Sequence, residues 1–310
     1  MSDHDVIIIG GGAAGLSAAL VLSRARRRVL VVDAGEPRNA PAAHVRGFLS
    51  RDGTAPQELV GLGQAEVRRY GGQIVRARAE DLRFTSNGRL EVVLDDGARS
   101  TARRVLVATG LRDELPTIPG LRERYGRDVL HCPYCHGYEV RDRRLGVVGG
   151  AANSLHQVQL VRQWTQDVVF FPAGMPLTAD QREQLVARAI GVVDGDVTGL
   201  LIEDDALAGV EIDGARVVRR DAVFVAPRFV PNTGLLGRLG CTLDESGAVV
   251  APGGRTSIPG VWVAGNVSNV RAQVITAAGE GSAAAIGLHS DLTDEDVRDA
   301  VTGFRLGMPA

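Results

Sequence analysis

Cys132 and Cys135 stand two residues apart in His131-Cys132-Pro133-Tyr134-Cys135-His136, a spacing that lets two thiols open and close as a disulfide. Thiol chemistry runs through the thiolate, so a proton acceptor beside the second sulfur has a task, and His136 is the candidate acid/base. Three rival chemistries use the same residues. Zinc needs four ligands, whereas Cys132, Cys135 and His136 supply three and no second cluster follows, so no metal is expected. Cys-Pro-Tyr-Cys-His also spells the c-type haem attachment pattern. That chemistry goes with export, and Asp3, His4 and Asp5 ahead of a four-residue apolar strand do not form a secretion signal. Two unrelated buried cysteines are the remaining alternative. Redox cycling is preferred, with His131 and Tyr134 shaping the site and the third cysteine, Cys241, filling a small core position.

The elements that would position this pair are nucleotide-binding units. Val6 to Ile9 reads as a buried strand, Gly10-Gly11-Gly12-Ala13-Ala14-Gly15 as a GxGxxG loop, Ala13 to Arg27 as a helix, and Val29 to Asp33 as a second strand. Gly10 would make the turn, Gly12 would admit a pyrophosphate to the helix N-terminus, Gly15 would let helix and strand close, and Asp33 would accept a ribose hydroxyl. Strands follow at 82–85, 89–94, 100–104 and 105–109, with hairpin turns at Asn87-Gly88 and Asp96-Gly97. The middle of the chain repeats the plan: strand 145–148, glycine loop, helix 155–164, strand 168–171. A second meander surrounds Asp213-Gly214, before a strand at 222–226. Strand 261–264 and a small-residue helix running to Leu288 would return to the first domain. The expected fold is therefore α/β, with two Rossmann-like nucleotide-binding domains, each carrying a small β-meander. The first domain spans 1–113 and 231–310, and the second is inserted at 114–230.

Composition narrows the function. A net charge of −2 gives no footprint for nucleic acid, and the run Arg24-Ala25-Arg26-Arg27-Arg28 falls at a helix end, where cations complement the dipole. No apolar run reaches membrane-spanning length. With three cysteines and no export signal, a reducing cytoplasm is the expected compartment.

Two distant segments favour FAD over NAD in the first site. Val107-Ala108-Thr109-Gly110, and Val263-Ala264-Gly265-Asn266-Val267 followed by Gln273 and Thr276-Ala277-Ala278-Gly279-Glu280-Gly281, resemble the further FAD motifs of two-domain flavoprotein disulfide reductases. The chain is similar over nearly its whole length to the low-molecular-weight thioredoxin reductase family. That resemblance implies an FAD cofactor, a homodimer, Cys135 beside the flavin, Cys132 facing the substrate, and Gln273 and Val274 near the pyrimidine edge. Arg38, Asn39 and His44 are candidates to line the FAD cleft. The sequence departs from the family at Asn266, where an aspartate is usual, and at His136, where an acid usually follows the second cysteine.

The second loop departs further. It reads Gly149-Gly150-Ala151-Ala152-Asn153-Ser154, with Ala and Ser at the second and third glycine positions. No Arg or Lys occurs from Trp164 through Gln181, where a 2′-phosphate would need one, and no acid closes the strand for an NADH ribose. CPYCHG beside such a degenerate site resembles the flavin-dependent dithiol oxidases that close the disulfides of gliotoxin and holomycin. The expected activity is oxidation of a small-molecule or protein dithiol through Cys132 and Cys135, with electrons passing to FAD and then O2 to give H2O2. An NAD(P)H-dependent thioredoxin reductase-like enzyme, a ferredoxin-linked reductase and a non-catalytic redox sensor are the alternatives.

Overall fold

The structure is a computed structural model describing residues 2–307. The chain runs β1 (Ser2–Ile9), α1 (Ala13–Arg24), β2 (Val29–Asp33), α2 (Pro56–Arg69), β3 (Gln73–Arg76), β4 (Ala79–Phe84), β5 (Leu90–Leu94) and β6 (Arg99–Val107). It continues through β7 (Leu111–Glu114), α3 (Leu121–Arg124), β8 (Val129–Leu130), α4 (Pro133–His136), β9 (Leu145–Val148), α5 (Ser154–Val161), β10 (Val168–Phe171), α6 (Ala179–Ala187) and β11 (Gly191–Val192). Then come β12 (Val197–Glu203), β13 (Ala206–Ile212), β14 (Arg216–Arg219), β15 (Ala222–Val225), β16 (Arg228–Pro231), α7 (Gly234–Arg238), β17 (Val261–Val263) and α8 (Val274–Arg305).

Two compact units result. One gathers Met1–Ala40, Pro56–Arg112 and Phe229–Ala310; the other gathers Pro41–Ala55 and Asp113–Arg228. The segment 41–55 thus packs with the inserted unit, although its position in sequence lies inside the first domain. β7 and β16, the two strands that cross between the units, pair with each other.

In the first unit the sheet order is β3-β2-β1-β6-β5-β4, with β17 also on β6. Alternate residues of the central strands serve opposite faces. Val6, Ile8, Val31 and Leu106 pack with Ala18, Leu22, Ala285 and Leu288 of α1 and α8. Ile7, Ile9, Leu30 and Val105 pack with Leu236 and Val249 on the other side. The expected strands 100–104 and 105–109 are one strand, β6. Its first half pairs antiparallel with β5 and its second half parallel with β17, so one chain serves both meander and nucleotide sheet.

α8 runs well past Leu288. Its second half is held by Leu292 in the core and by ion pairs: Arg104 to Asp291 (2.6 Å), Arg103 to Asp296 (2.7 Å) and Arg27 to Asp296 (2.8 Å). α1 stops at Arg24, and Arg28 pairs with Asp5 (3.1 Å), so two arginines of the basic run are bound to carboxylates.

The second unit stacks a five-stranded parallel sheet, β11-β10-β9-β15-β8, against the antiparallel β12-β13-β14. Phe171, Val223 and Val225 meet Leu200, Val210 and Ile212 between these sheets, while Phe170, Phe224, Leu145 and Val147 pack under α5. No described helix is long and apolar enough to cross a membrane.

Candidate active site

β8 delivers the chain from the edge of the second sheet into His131 and Cys132. Cys132 is extended (φ −104°, ψ 109°) and caps α4, with Pro133 at the first helical position, where its fixed φ suits a helix start. One helical turn later Cys135 closes a disulfide with Cys132, the Cα atoms 5.3 Å apart. The Cys135 N–H donates to Cys132 Sγ (3.2 Å), a contact that favours negative charge on that sulfur when the bridge opens. Gly137 ends the turn because a Cβ there would stand 2.6 Å from both the Trp164 ring and the Pro133 carbonyl. Trp164 backs the turn, and the exposed Tyr134 ring meets it edge-on at 6.0 Å.

The two flanking histidines differ. The His131 ring stacks on Tyr125 with Nδ1 2.9 Å from the phenol oxygen, and its carbonyl accepts from Gln157 Nε2 (2.7 Å), which also reaches the Val225 carbonyl (3.3 Å). His131 thus anchors the turn to the sheet. For His136, burial pushes the imidazole below its ordinary range, with Glu139 raising it and Arg46 lowering it. The ring is therefore neutral at pH 7 and able to take a thiol proton.

The first glycine loop is built as an anion cradle. Gly10 has φ +106°, and a Cβ on it would run into the Ala108 carbonyl; one on Gly15 would run into the Gly10 carbonyl. Gly12, which caps α1, differs: a Cβ there meets nothing within 4 Å. That open space faces the start of a twelve-residue helix whose first residues are Ala13 and Ala14, the place where a pyrophosphate binds. Asp33 ends β2 and accepts the Gly11 N–H (3.0 Å), so the acid is fixed beside the loop.

The other predicted FAD motifs belong to the same unit. Thr109 and Asn232 clasp reciprocally, Thr109 Oγ1 donating to the Asn232 carbonyl and Asn232 Nδ2 to the Thr109 carbonyl, both at 2.8 Å. The Asn232 N–H donates to Gly110, which has φ +67°. Gly265 (φ +78°) gives its N–H to Glu280 (3.1 Å), whose other oxygen accepts from Asn269 Nδ2 (2.6 Å). Asn266 donates to the carbonyls of Asn269 (2.9 Å) and Ala272 (3.0 Å) and accepts from Arg38 (3.4 Å), whose guanidinium lies 4.9 Å from the Phe229 ring centre. Its amide is spent on the loop. Gln273 caps α8, Val274 begins it, and Asn39 stays half-buried in this unit. His44 is exposed on the 41–55 segment, which belongs to the second unit. Asn232 and Arg46 have no local signature in sequence; Glu280 lay inside a quoted motif without a role.

The second loop is closed by its own side chain. Ser154 is fully buried, and its Oγ accepts the Ala151 N–H (3.2 Å), taking a donor that a phosphate would use. α5 begins only at Ser154, two positions later than α1 begins in its loop. Among the described residues, no group of three or more His, Cys, Asp or Glu could hold a metal ion.

Residues 4–281 match the pyridine nucleotide-disulphide oxidoreductase family profile. The chain belongs to that family. As a member it is an FAD-binding flavoprotein of thioredoxin reductase-like fold and a disulfide oxidoreductase. Gly12 and Asp33 fit the FAD pyrophosphate and ribose. The solved structure of HlmI is 52% identical, covers 98% of this chain and 97% of its own, and superposes with a TM-score of 0.95. The putative thioredoxin reductase TrxB from Bacillus anthracis is 34% identical over 94% of this chain and 99% of its own, with a TM-score of 0.90. Among curated relatives, thioredoxin reductase sirT of Leptosphaeria maculans is 29% identical over 96% of each chain.

Proposed function

We propose that this disulfide oxidoreductase is a dithiol oxidase, closing a disulfide in a small-molecule dithiol rather than reducing one. The observation that carries the reading is the second glycine loop, where the Ser154 hydroxyl occupies the Ala151 N–H, together with a sequence that has no Arg or Lys from Trp164 through Gln181. A substrate thiol gives its proton to neutral His136, and the thiolate attacks Cys132 Sγ. The Cys132–Cys135 bond breaks, Cys135 leaves as a thiolate, and a mixed disulfide forms. His136 passes that proton to the Cys135 thiolate, takes the proton of the substrate's second thiol, and the second thiolate attacks the substrate's own sulfur in the mixed disulfide. Cys132 then leaves as a thiolate, stabilised by the Cys135 N–H at 3.2 Å. Each turnover moves two electrons from substrate to the cysteine pair, and the two substrate protons end on Cys135 and His136. FAD, when bound, accepts the two electrons and passes them to O2, giving H2O2.

The family resemblance supports a homodimer, and the sparse cysteines fit a reducing cytoplasm. A second reading, an NAD(P)H-dependent reductase, is favoured by the parallel five-stranded sheet of the second unit, which retains a nucleotide-binding plan, and by relatives named thioredoxin reductases. Anaerobic mixing separates the two. A dithiol is expected to bleach the flavin absorbance, with NADPH and NADH doing so far more slowly, and rapid full bleaching by either nicotinamide would sink the oxidase. Cys132→Ser and Cys135→Ser should each abolish turnover with FAD retained; turnover surviving in either would remove the pair from the mechanism.

A further inference from the structure

The 41–55 segment holds no helix or strand, yet it is a built loop. Val45 is buried; its N–H donates to the Thr54 carbonyl (2.8 Å) and the Gly53 N–H to the Val45 carbonyl (2.9 Å), closing the base. The Gly47 N–H donates to Asp52 Oδ1 (2.8 Å). At the start of the loop Pro41 rests on Gly126, where an added Cβ would come within 2.9 Å of the proline. This frame presents Arg46. Its Nε lies 3.1 Å from Glu139 Oε1, and its Nη1 lies 3.3 Å from Asp52 Oδ2. Gly53 leaves room for the guanidinium, since a Cβ there would stand 3.3 Å from Nη1. Glu139 is tied to the cysteine turn, its N–H donating to the His136 carbonyl (3.2 Å). The ion pair therefore lies beside the histidine that follows Cys135, and Arg46 and Glu139 are the two charged groups whose fields reach its ring.

We propose that the Arg46–Glu139 ion pair is a positioning element for His136, keeping the ring neutral and ready for a thiol proton, so that the 41–55 loop is a working part of the disulfide site. The inference rests on the dithiol oxidase reading for its purpose, though not for its test. The physical argument is one of balance. Glu139 favours the imidazolium and Arg46 opposes it; held together at 3.1 Å they present a dipole, whose field falls faster than that of either charge. Burial then decides, and the ring stays neutral. With Arg46 gone, an unopposed carboxylate would shift the balance toward the protonated ring, which cannot accept a proton. With Glu139 gone, an unopposed guanidinium would make the ring a weaker base.

The two halves of the pair therefore have opposite effects, which a merely structural ion pair would not produce. The test uses FAD-loaded protein with isotope-labelled histidines, the His136 ring signal being the one missing from His136→Ala. Arg46→Gln should move the ring's titration to higher pH and Glu139→Gln to lower pH, with the double variant returning toward the parent. In parallel, with dithiothreitol as substrate, Arg46→Gln should lower the rate at about pH 6 relative to about pH 8 by roughly three- to tenfold, the effect of one unit charge near a part-buried ring. Arg46→Lys, which keeps the charge, should leave the titration near that of the parent. The proposal is overturned if both single variants shift the titration in one direction, if neither shifts it, or if Arg46→Lys behaves like Arg46→Gln. Protein that oxidises no dithiol in air would defeat the oxidase reading alone, because the ring titration would still decide this one.

Discussion

The two glycine loops of this chain start from the same plan and end in different states. Gly10 and Gly149 both follow a central parallel strand, and both are required by the fold: a Cβ on either would run into a carbonyl of the neighbouring chain, Ala108 or Pro172. Gly12 has no such neighbour. Its missing side chain leaves open space at the start of α1, and at the matching place the second loop carries Ala151. Gly15 closes α1 onto the Gly10 carbonyl, whereas Ser154 turns back to hold the Ala151 N–H. The glycine that packing demands is present in both loops, and the glycine that a pyrophosphate demands is present in one.

That contrast is broken most forcefully in the first loop. Gly12→Val fills only open space, so the apoprotein should fold with unchanged far-UV circular dichroism while FAD bound after purification drops about tenfold or more, through exclusion of the pyrophosphate. Gly15→Ala should instead damage both folding and flavin binding, because its Cβ meets backbone. Flavin content unchanged in Gly12→Val would show that the open space is not the cofactor cradle.

How much of this was legible in sequence follows the same divide. Glycine spacing, strand runs and the acid at Asp33 announce themselves locally, so the strand–loop–helix plan of both units and the cysteine turn could be read in advance. Long-range polar partnerships could not. The second half of α8 buries Leu292 but leaves Val297, Val301 and Phe304 exposed, and it is fastened by Arg27, Arg103 and Arg104, residues far away in sequence. Asn232, which clasps Thr109, carries no motif. The 41–55 loop looks like a connection of the first domain, and only folding shows that Val45 and Arg46 belong with the cysteine unit.

A smaller effect tests the polar half of the FAD unit. The family usually places an aspartate where this chain has Asn266, and restoring it would be expected to help. The hydrogen bonds argue the reverse. Asn266 donates to two carbonyls, at 2.9 and 3.0 Å, and a carboxylate can donate to neither while adding its charge beside both. Asn266→Asp should lower stability by about 1–3 kcal/mol, partly offset by a stronger contact with Arg38, and should weaken FAD retention. Thermal unfolding of the flavin-loaded protein measures it; an equal or raised midpoint would mean that the loop repacks around the acid.

The smallest effect lies in the second loop, where the comparison is sharpest. Ser154→Ala removes the acceptor of the Ala151 N–H at a buried position and should cost about 1 kcal/mol, with FAD content and dithiol oxidation unchanged. It also returns that N–H to the loop, and Ala151→Gly added to it removes the methyl group that stands where a pyrophosphate would approach. Even this double variant should not be reduced quickly by NADPH, since Pro172-Ala173-Gly174 after β10 offers a 2′-phosphate no cation and α5 starts two positions late. Rapid bleaching by NADPH in the double variant would show that two side chains alone had closed the site. It would then be the loop, and not the strand end, that governs whether a nicotinamide can act on this chain.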